Sequence, residues 1–325
     1  MVSASPAKVI LFGEHFVVNG NSAISMTIDL PTIVTAETKT TNGITVNSKN
    51  LNLEAHFSLN GTLERSRGTN AEQNLRPVYA TISPLIDKTT QGIKISIESH
   101  VPIGMGLGSS AATAVATLSS VTTLMQKIMN KEEIFQAAYS LEKLIHGRPS
   151  GVDQATVTYG GMIVYRNGRV ESKITDLPKP PLIIIGNTRK RRSTGEYVGR
   201  VTQLRAERPK EYANLAHQAQ QIANQATTAL RQGKDKELGT LMNENQRLLE
   251  TIGVSSPDLD NLIAAALSAG ALGAKLTGGG GGGCMIALAN DSTTSEVARA
   301  IKQAGGEIIP GSFVPYGVKV IDRSN

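Results

Sequence analysis

The stretch Pro102-Ile103-Gly104-Met105-Gly106-Leu107-Gly108-Ser109-Ser110-Ala111-Ala112 alternates three glycines. Two serines and two alanines then open an apolar helical pattern that runs to about Met129. Glycine permits positive φ and lets backbone approach a ligand closely. A helix N-terminus adds N–H donors without intrahelical partners and the positive end of a dipole. Together these make a site for phosphate. Upstream, Gly92 to Glu98 alternates Ile93, Ile95 and Ile97, which predicts a strand with one buried face. Strand, glycine loop, helix is the order a phosphate cradle requires, and it favours the cradle over a plain tight loop. Ser109 and Ser110 offer hydroxyls, either as helix caps or as ligands of a divalent cation. The common phosphate loop, Gly-x-x-x-x-Gly-Lys-Ser/Thr, carries a lysine after its last glycine, whereas Ser109 follows Gly108 here. A cation for bound phosphate must therefore come from elsewhere in the chain.

Lys8 is one source. It interrupts the apolar run Ala7 to Phe12, which reads as a buried strand; taken alone it reads as a lysine that snorkels to water. Glu14 and His15 follow at once. Phe16 to Val18 and the Asn19-Gly20 pair then read as strand and hairpin turn. Asp153, in Ser150-Gly151-Val152-Asp153, offers a general base or an ordinary turn residue. Glu142 and His146 share a face of the helix expected over Lys131 to Ile145, which stops at Gly147. Six glycines, Gly278 to Gly283, cannot form a stable helix or strand. They make a flexible linker or a backbone-lined anion loop, and the strand-like flanks favour the loop.

Bulk properties narrow the function classes. The 325 residues can bury a large core, aliphatic because aromatics are few. The net charge of +6 is spread along the chain apart from Arg189-Lys190-Arg191-Arg192, and no aromatic interleaving accompanies it, so nucleic acid is not an expected partner. No run approaches the ~18 apolar residues of a membrane span. The N-terminus lacks the basic start of a signal peptide. A single cysteine, Cys284, rules out an intrachain disulfide and suits a reducing compartment, so a cytoplasmic protein is expected. Further strands are expected at Ile24–Leu30, Thr32–Glu37, Ile44–Asn47 and Leu51–Phe57, and a proline-weakened helix over Asn70–Asp87. Prolines around Asp176 to Pro181 mark a domain boundary, which divides the chain into 1–178 and 179–325. Long helical patterns follow at Gly195–Arg205, Pro209–Arg231, Lys234–Ile252 and Pro257–Ala269.

In combination these segments resemble the three signature motifs of the GHMP kinase family. The first is Pro6-Ala7-Lys8-Val9-Ile10-Leu11-Phe12-Gly13-Glu14-His15, the second Pro102 to Ala112, and the third Lys275-Leu276-Thr277 with the glycines and Cys284. Gly13 to Gly20 and Glu142 to Asp153 are most similar to the mevalonate kinase branch. Phosphomevalonate, homoserine and sugar kinases are the alternatives within the family; a decarboxylase or a non-catalytic regulator of the same fold are the alternatives outside kinase chemistry. The resemblance implies a two-domain α+β fold with the active site in the interdomain cleft. It implies phosphoryl transfer from ATP with Mg²⁺, mevalonate as acceptor, and a homodimer. It assigns Asp153 and Lys8 to catalysis. Pro102, Gly104, Met105, Gly106, Leu107, Gly108, Ser109, Ser110 and Ala111 would hold ATP, and Ser110 and Glu142 the metal. Lys8, Glu14, His15, Asp153 and Thr194 would surround the acceptor.

Overall fold

The computed structural model describes residues 1–87, 90–146, 149–190 and 194–321, with residues 144–146 and 194 described by backbone alone. The first sheet contains β1 (Val2–Phe12), β2 (Ala23–Lys39), β3 (Ile44–Ser48), β4 (Leu53–Phe57), β5 (Leu63–Arg67), β6 (Gly92–Ser99), β7 (Met162–Arg166) and β8 (Arg169–Lys173). The second contains β9 (Leu182–Asn187), β10 (Gly273–Leu276), β11 (Cys284–Ala289) and β12 (Glu307–Ile309). The last described strand, β13 (Lys319–Ile321), returns to pair with β1. The orders are β13-β1-β2-β6-β3-β4-β5, with β7 on β2 and β8 on β7, and β10-β11-β9-β12. Among the described residues, only β3 and β6 pair in parallel.

The helices are α1 (Ala71–Ile82), α2 (Ser109–Leu124), α3 (Lys131–His146), α4 (Val152–Tyr159), α5 (Thr194–Glu207), α6 (Pro209–Gln232), α7 (Asp235–Thr251), α8 (Pro257–Ser268) and α9 (Thr294–Gln303). The largest core joins Val9 and Leu11 of β1 to Leu241 and Leu249 of α7 and to the buried strand β11, so one apolar layer spans both sheets. No helix among the described residues is long and apolar enough to cross a membrane.

β1 is buried along its whole length. Its register with β2 shifts between Ser5 and Ala7, at Pro6. Before the shift, Ser3 Oγ lies 3.0 Å from Ser119 Oγ of α2. Beyond it, Ala7, Val9 and Leu11 enter the core shared with α7, and Lys8 and Ile10 take the side of α2 and α4. Across the irregularity the pairing advances from Ser5 to Ala7 on β1 but from Thr32 to Ile28 on β2, and the face of β1 turned to α2 and α4 passes from Ser3 and Ser5 to Lys8 and Ile10. The irregularity at Pro6 is therefore what aims Lys8 at the glycine loop.

Several expectations are corrected. The strands expected at Ile24–Leu30 and Thr32–Glu37 are one strand, β2. Pro31 survives inside it because β1 pairing is already broken there, between Thr32 and Ile28. Phe16–Asn19 is a short 3-10 turn ended by Gly20 at φ 91°, not a strand. α1 persists through Pro77 because its face carrying Leu75, Val78 and Ile82 is buried. Asp153 is in the first turn of a helix, α4, rather than in an open turn. The expected helix stop at Gly147 lies outside the described residues.

Candidate active site

Lys8 organises the site. Its backbone N–H donates to Leu107 O at 3.0 Å, and its ammonium donates to Gly106 O at 2.9 Å. The same ammonium is 2.8 Å from Asp153 Oδ1. The Lys8 side chain is 1% exposed and the Asp153 side chain 33%, so the carboxylate has an open side and the ammonium has none. The snorkelling reading of Lys8 is overturned: burial is offset by a carboxylate and a carbonyl.

Gly104, Gly106 and Gly108 all have positive φ, at 77°, 87° and 79°. Gly108 also needs its missing side chain, because a Cβ there would lie 3.0 Å from Lys8 Cγ. The loop thus wraps the lysine and enters α2, whose first amides lack intrahelical partners. Asp153 sits in the first turn of α4, where the helix dipole favours a negative charge.

A cavity of about 480 Å³ opens beside these groups. Pro102, Gly104, Gly106, Gly108, Ser109, Ser110, Glu142 and Asp153 form its polar end. Leu51, Leu75, Val78, Ile97 and Ile103 form an apolar end. The two ends together suit a nucleotide, phosphates at one and a flat base at the other. Apart from Ile103, sequence reasoning missed the apolar end, since it draws single residues from the β3–β4 connection, α1 and β6 that carry no motif. Met105 lines a neighbouring cavity with Asn187 and Arg189, while Leu107 and Ala111 are buried in the packing.

Ser110 and Glu142 line the nucleotide cavity together. A hydroxyl and a carboxylate are hard oxygen donors of the kind Mg²⁺ takes while completing its shell with phosphate oxygens and water. No cluster of three or more His, Cys, Asp or Glu capable of holding a metal occurs among the described residues. One hydroxyl and one carboxylate form a donor set that fits Mg²⁺ with the rest of its shell supplied by phosphate and water.

The hexaglycine stretch is a packed loop, not a linker. Five of its six residues, Gly278 and Gly280 to Gly283, have positive φ. Side chains would not fit: a Cβ at Gly280 would overlap Val254 O, one at Gly281 would overlap the Tyr197 ring, and one at Gly283 would lie 2.8 Å from Met105 O. The loop carries the second sheet up to the first glycine loop. His15, at φ 62°, lies across it, with Nε2 3.2 Å from Gly279 O.

Beneath His15, Glu14 and Lys275 form an ion pair with both side chains fully buried. Lys275 also donates to Leu276 O at 2.6 Å, and Glu14 Oε2 has no hydrogen-bond partner among the described residues. Burial pushes the Glu14 carboxyl up and the Lys275 ammonium down, and each partner's charge opposes the other's shift. Glu14 therefore lies under the cleft surface, while the half-buried His15 ring is on it. A lysine in the apolar strand β10 was the available signal for this pair. Thr194 opens α5, but its side chain lies outside the described residues, as do the side chain of His146 and residues Arg191 and Arg192.

Comparison with known proteins identifies the family. The GHMP kinases N terminal domain matches residues 76–161, and the GHMP kinases C terminal domain matches residues 226–307. The chain is 38% identical to the mevalonate kinase of Thermococcus sibiricus, over 99% of this chain and 98% of that protein. Its fold is similar to the crystal structure of the Methanococcus jannaschii mevalonate kinase, with a TM-score of 0.83 and 29% identity over 97% of this chain and 98% of that one. It is also similar to L. major mevalonate kinase in complex with R-mevalonate, with a TM-score of 0.79 and 29% identity over 97% and 96%. The chain belongs to the GHMP kinase family, in its mevalonate kinase branch.

Proposed function

We propose that this chain transfers the γ-phosphoryl group of ATP to the primary hydroxyl of (R)-mevalonate, giving 5-phosphomevalonate and ADP for isoprenoid biosynthesis. The observation that carries the chemistry is the 2.8 Å pair of Lys8 Nζ and Asp153 Oδ1 beside the glycine-lined cavity.

Asp153 takes the proton from the acceptor hydroxyl as its oxygen attacks the γ-phosphorus and the bond to the β-phosphate oxygen breaks. Lys8 orients the carboxylate and opposes the negative charge that develops between acceptor and phosphoryl group. A general base of this kind contributes roughly 10²–10⁴-fold. The remaining work is positioning, which dominates phosphoryl transfer. The amides of Gly104 to Ala111 cradle the phosphates, with Pro102 at the loop's start, and the apolar end beside Leu75 and Val78 takes the base. Ser110 and Glu142 would hold Mg²⁺, which would supply charge neutralisation to the bound phosphates. His15 walls the acceptor pocket, Glu14 supports it from below, and Thr194 lies at its α5 side.

Two domains, 1–178 for ATP and 179–325 for the rest, are the proposed organisation, with β13 lent back to the first sheet. A homodimer in the cytoplasm is the proposed state, to be read by sedimentation and cell fractionation. The reaction itself is tested by ADP release from Mg-ATP with mevalonate, phosphomevalonate, homoserine and galactose. Turnover with mevalonate alone is expected. Turnover with a different member alone would overturn the substrate assignment.

A further inference from the structure

Aromatic side chains are scarce here, with five Phe, seven Tyr and no Trp. Four of them gather in one place behind the Lys8–Asp153 pair. Phe135 is the hub: its ring centroid lies 5.8 Å from Tyr139, 5.7 Å from Tyr159 and 6.5 Å from Tyr165. Tyr165 is fully buried, and its hydroxyl has no hydrogen-bond partner among the described residues. A phenylalanine would fill the same ring volume without stranding a hydroxyl, so the oxygen costs stability.

That hydroxyl stands against Gly151. The glycine has φ 82° and caps the N-terminus of α4. A Cβ at residue 151 would overlap the Tyr165 hydroxyl and lie 2.9 Å from Tyr139 Cε2. The same turn is held by Tyr139 Oη, 3.4 Å from Pro149 O, and by Gly151 O, which accepts from Ala155 N at 3.0 Å. Asp153 is two residues further on. Tyr139 is three residues before Glu142 on α3, so one aromatic cluster backs both carboxylates that face the cavity.

We propose that Tyr165, together with Tyr139, is a positioning residue for phosphoryl transfer: the two rings seat the Gly151 turn and thereby fix where α4 presents Asp153. The proposal rests on Asp153 as the base. Rings suit the task because they are stiff and cannot collapse into a gap. A shift of about 1 Å at a reacting group costs on the order of 10²-fold in rate.

The test compares Tyr165→Leu, Tyr165→Phe, Gly151→Ala, the pair Gly151→Ala with Tyr165→Phe, and Asp153→Asn. For each, kcat, KM for mevalonate and ATP affinity are measured. Tyr165→Leu is expected to lower kcat about 10- to 100-fold while both binding constants stay within about twofold. Tyr165→Phe, which keeps the ring, recovers most of that loss. Gly151→Ala is expected to fall as far, and adding Tyr165→Phe should restore only part of that loss, because the positive φ and the Tyr139 ring still oppose the methyl group. Wild-type kcat in Tyr165→Leu overturns the proposal, as does a parallel loss of kcat and ATP affinity. If the leucine variant does not fold, Gly151→Ala decides: wild-type kcat in that variant overturns the proposal. An active Asp153→Asn would instead overturn the base assignment itself. An inactive one beside a fully active Tyr165→Leu sinks only the positioning role.

Discussion

Thr277 Oγ1 accepts a hydrogen bond from Ile10 N at 2.9 Å and donates one to Ile10 O at 3.0 Å. One hydroxyl thus satisfies both backbone groups of a residue 267 positions away, and it joins β1 to the end of β10 at the point where the two sheets meet. Thr277→Val keeps the shape and strands both groups. With about 1–3 kcal/mol for each buried unpaired group, the variant should lose roughly 2–6 kcal/mol. Thr277→Ser should retain most of the stability. Urea midpoints check this, and an unchanged midpoint for the valine variant would refute it.

Asp153→Asn keeps the size of the side chain and removes the base. Turnover should fall by about 10²–10⁴-fold with ATP binding preserved, because the phosphate cradle is built from backbone. Near-wild-type turnover would sink the assignment. Calorimetric titration with a non-hydrolysable ATP analogue supplies the binding arm.

Glu142→Gln addresses the metal. Losing the negative charge of the one carboxylate in the donor set should raise the Mg²⁺ concentration needed for half-maximal rate about tenfold or more, with little change once Mg²⁺ is saturating. A Mg²⁺ titration identical to wild type would count against Glu142 as a ligand.

The Glu14–Lys275 pair predicts a pH effect. Lys275→Met leaves Glu14 buried without its counter-ion, so the carboxyl is pushed further above its ordinary value. The folded variant then holds the Glu14 proton more tightly than the unfolded chain does. Its stability is fully present below about pH 4.3 and is lost as pH rises through the raised value. The gap to wild type should widen from pH 5 to pH 8, reaching about 3–5 kcal/mol, and adding Glu14→Gln should narrow it. A gap independent of pH would contradict this account.

The glycine loop offers a contrast between neighbours. Gly283→Ala forces a methyl group to 2.8 Å from Met105 O at φ 73°, so the phosphate loop must shift and KM for ATP should rise about tenfold or more. Gly279 is the one residue of the six without a positive φ. Alanine there should be tolerated and add about 0.4–1 kcal/mol through the unfolded chain. Equal damage from both substitutions would show that loop strain is not what distinguishes them.

Much of this was legible before any coordinates. The four long helices after Thr194 match their apolar periodicity to within a few residues, because burial of one face is what makes such helices stable. The glycine loop was readable because positive φ and a helix start both leave residue-type marks. The Phe16–Asn19 turn and the single strand β2 were not. Apolar β-branched runs look alike in strands and tight turns, and only pairing partners separate them. The short helix α4 was hidden for a similar reason: its buried face packs beneath α2 and β1, contacts that eight residues cannot announce.

The sequence by itself determined the chemistry on offer: a glycine-lined phosphate site, a lysine in an apolar strand, carboxylates at Glu142 and Asp153, and the order of motifs that marks the family. Tertiary structure alone decided which of these meet. The register shift at Pro6 turns Lys8 toward Gly106 and Asp153, which lie 98 and 145 positions away. The fold also sinks Glu14 onto Lys275 and puts Tyr165 against Gly151. Local propensity is written in neighbouring residues, but the face a strand presents depends on its partner's register, and that is settled only when the sheet is assembled and its core buried.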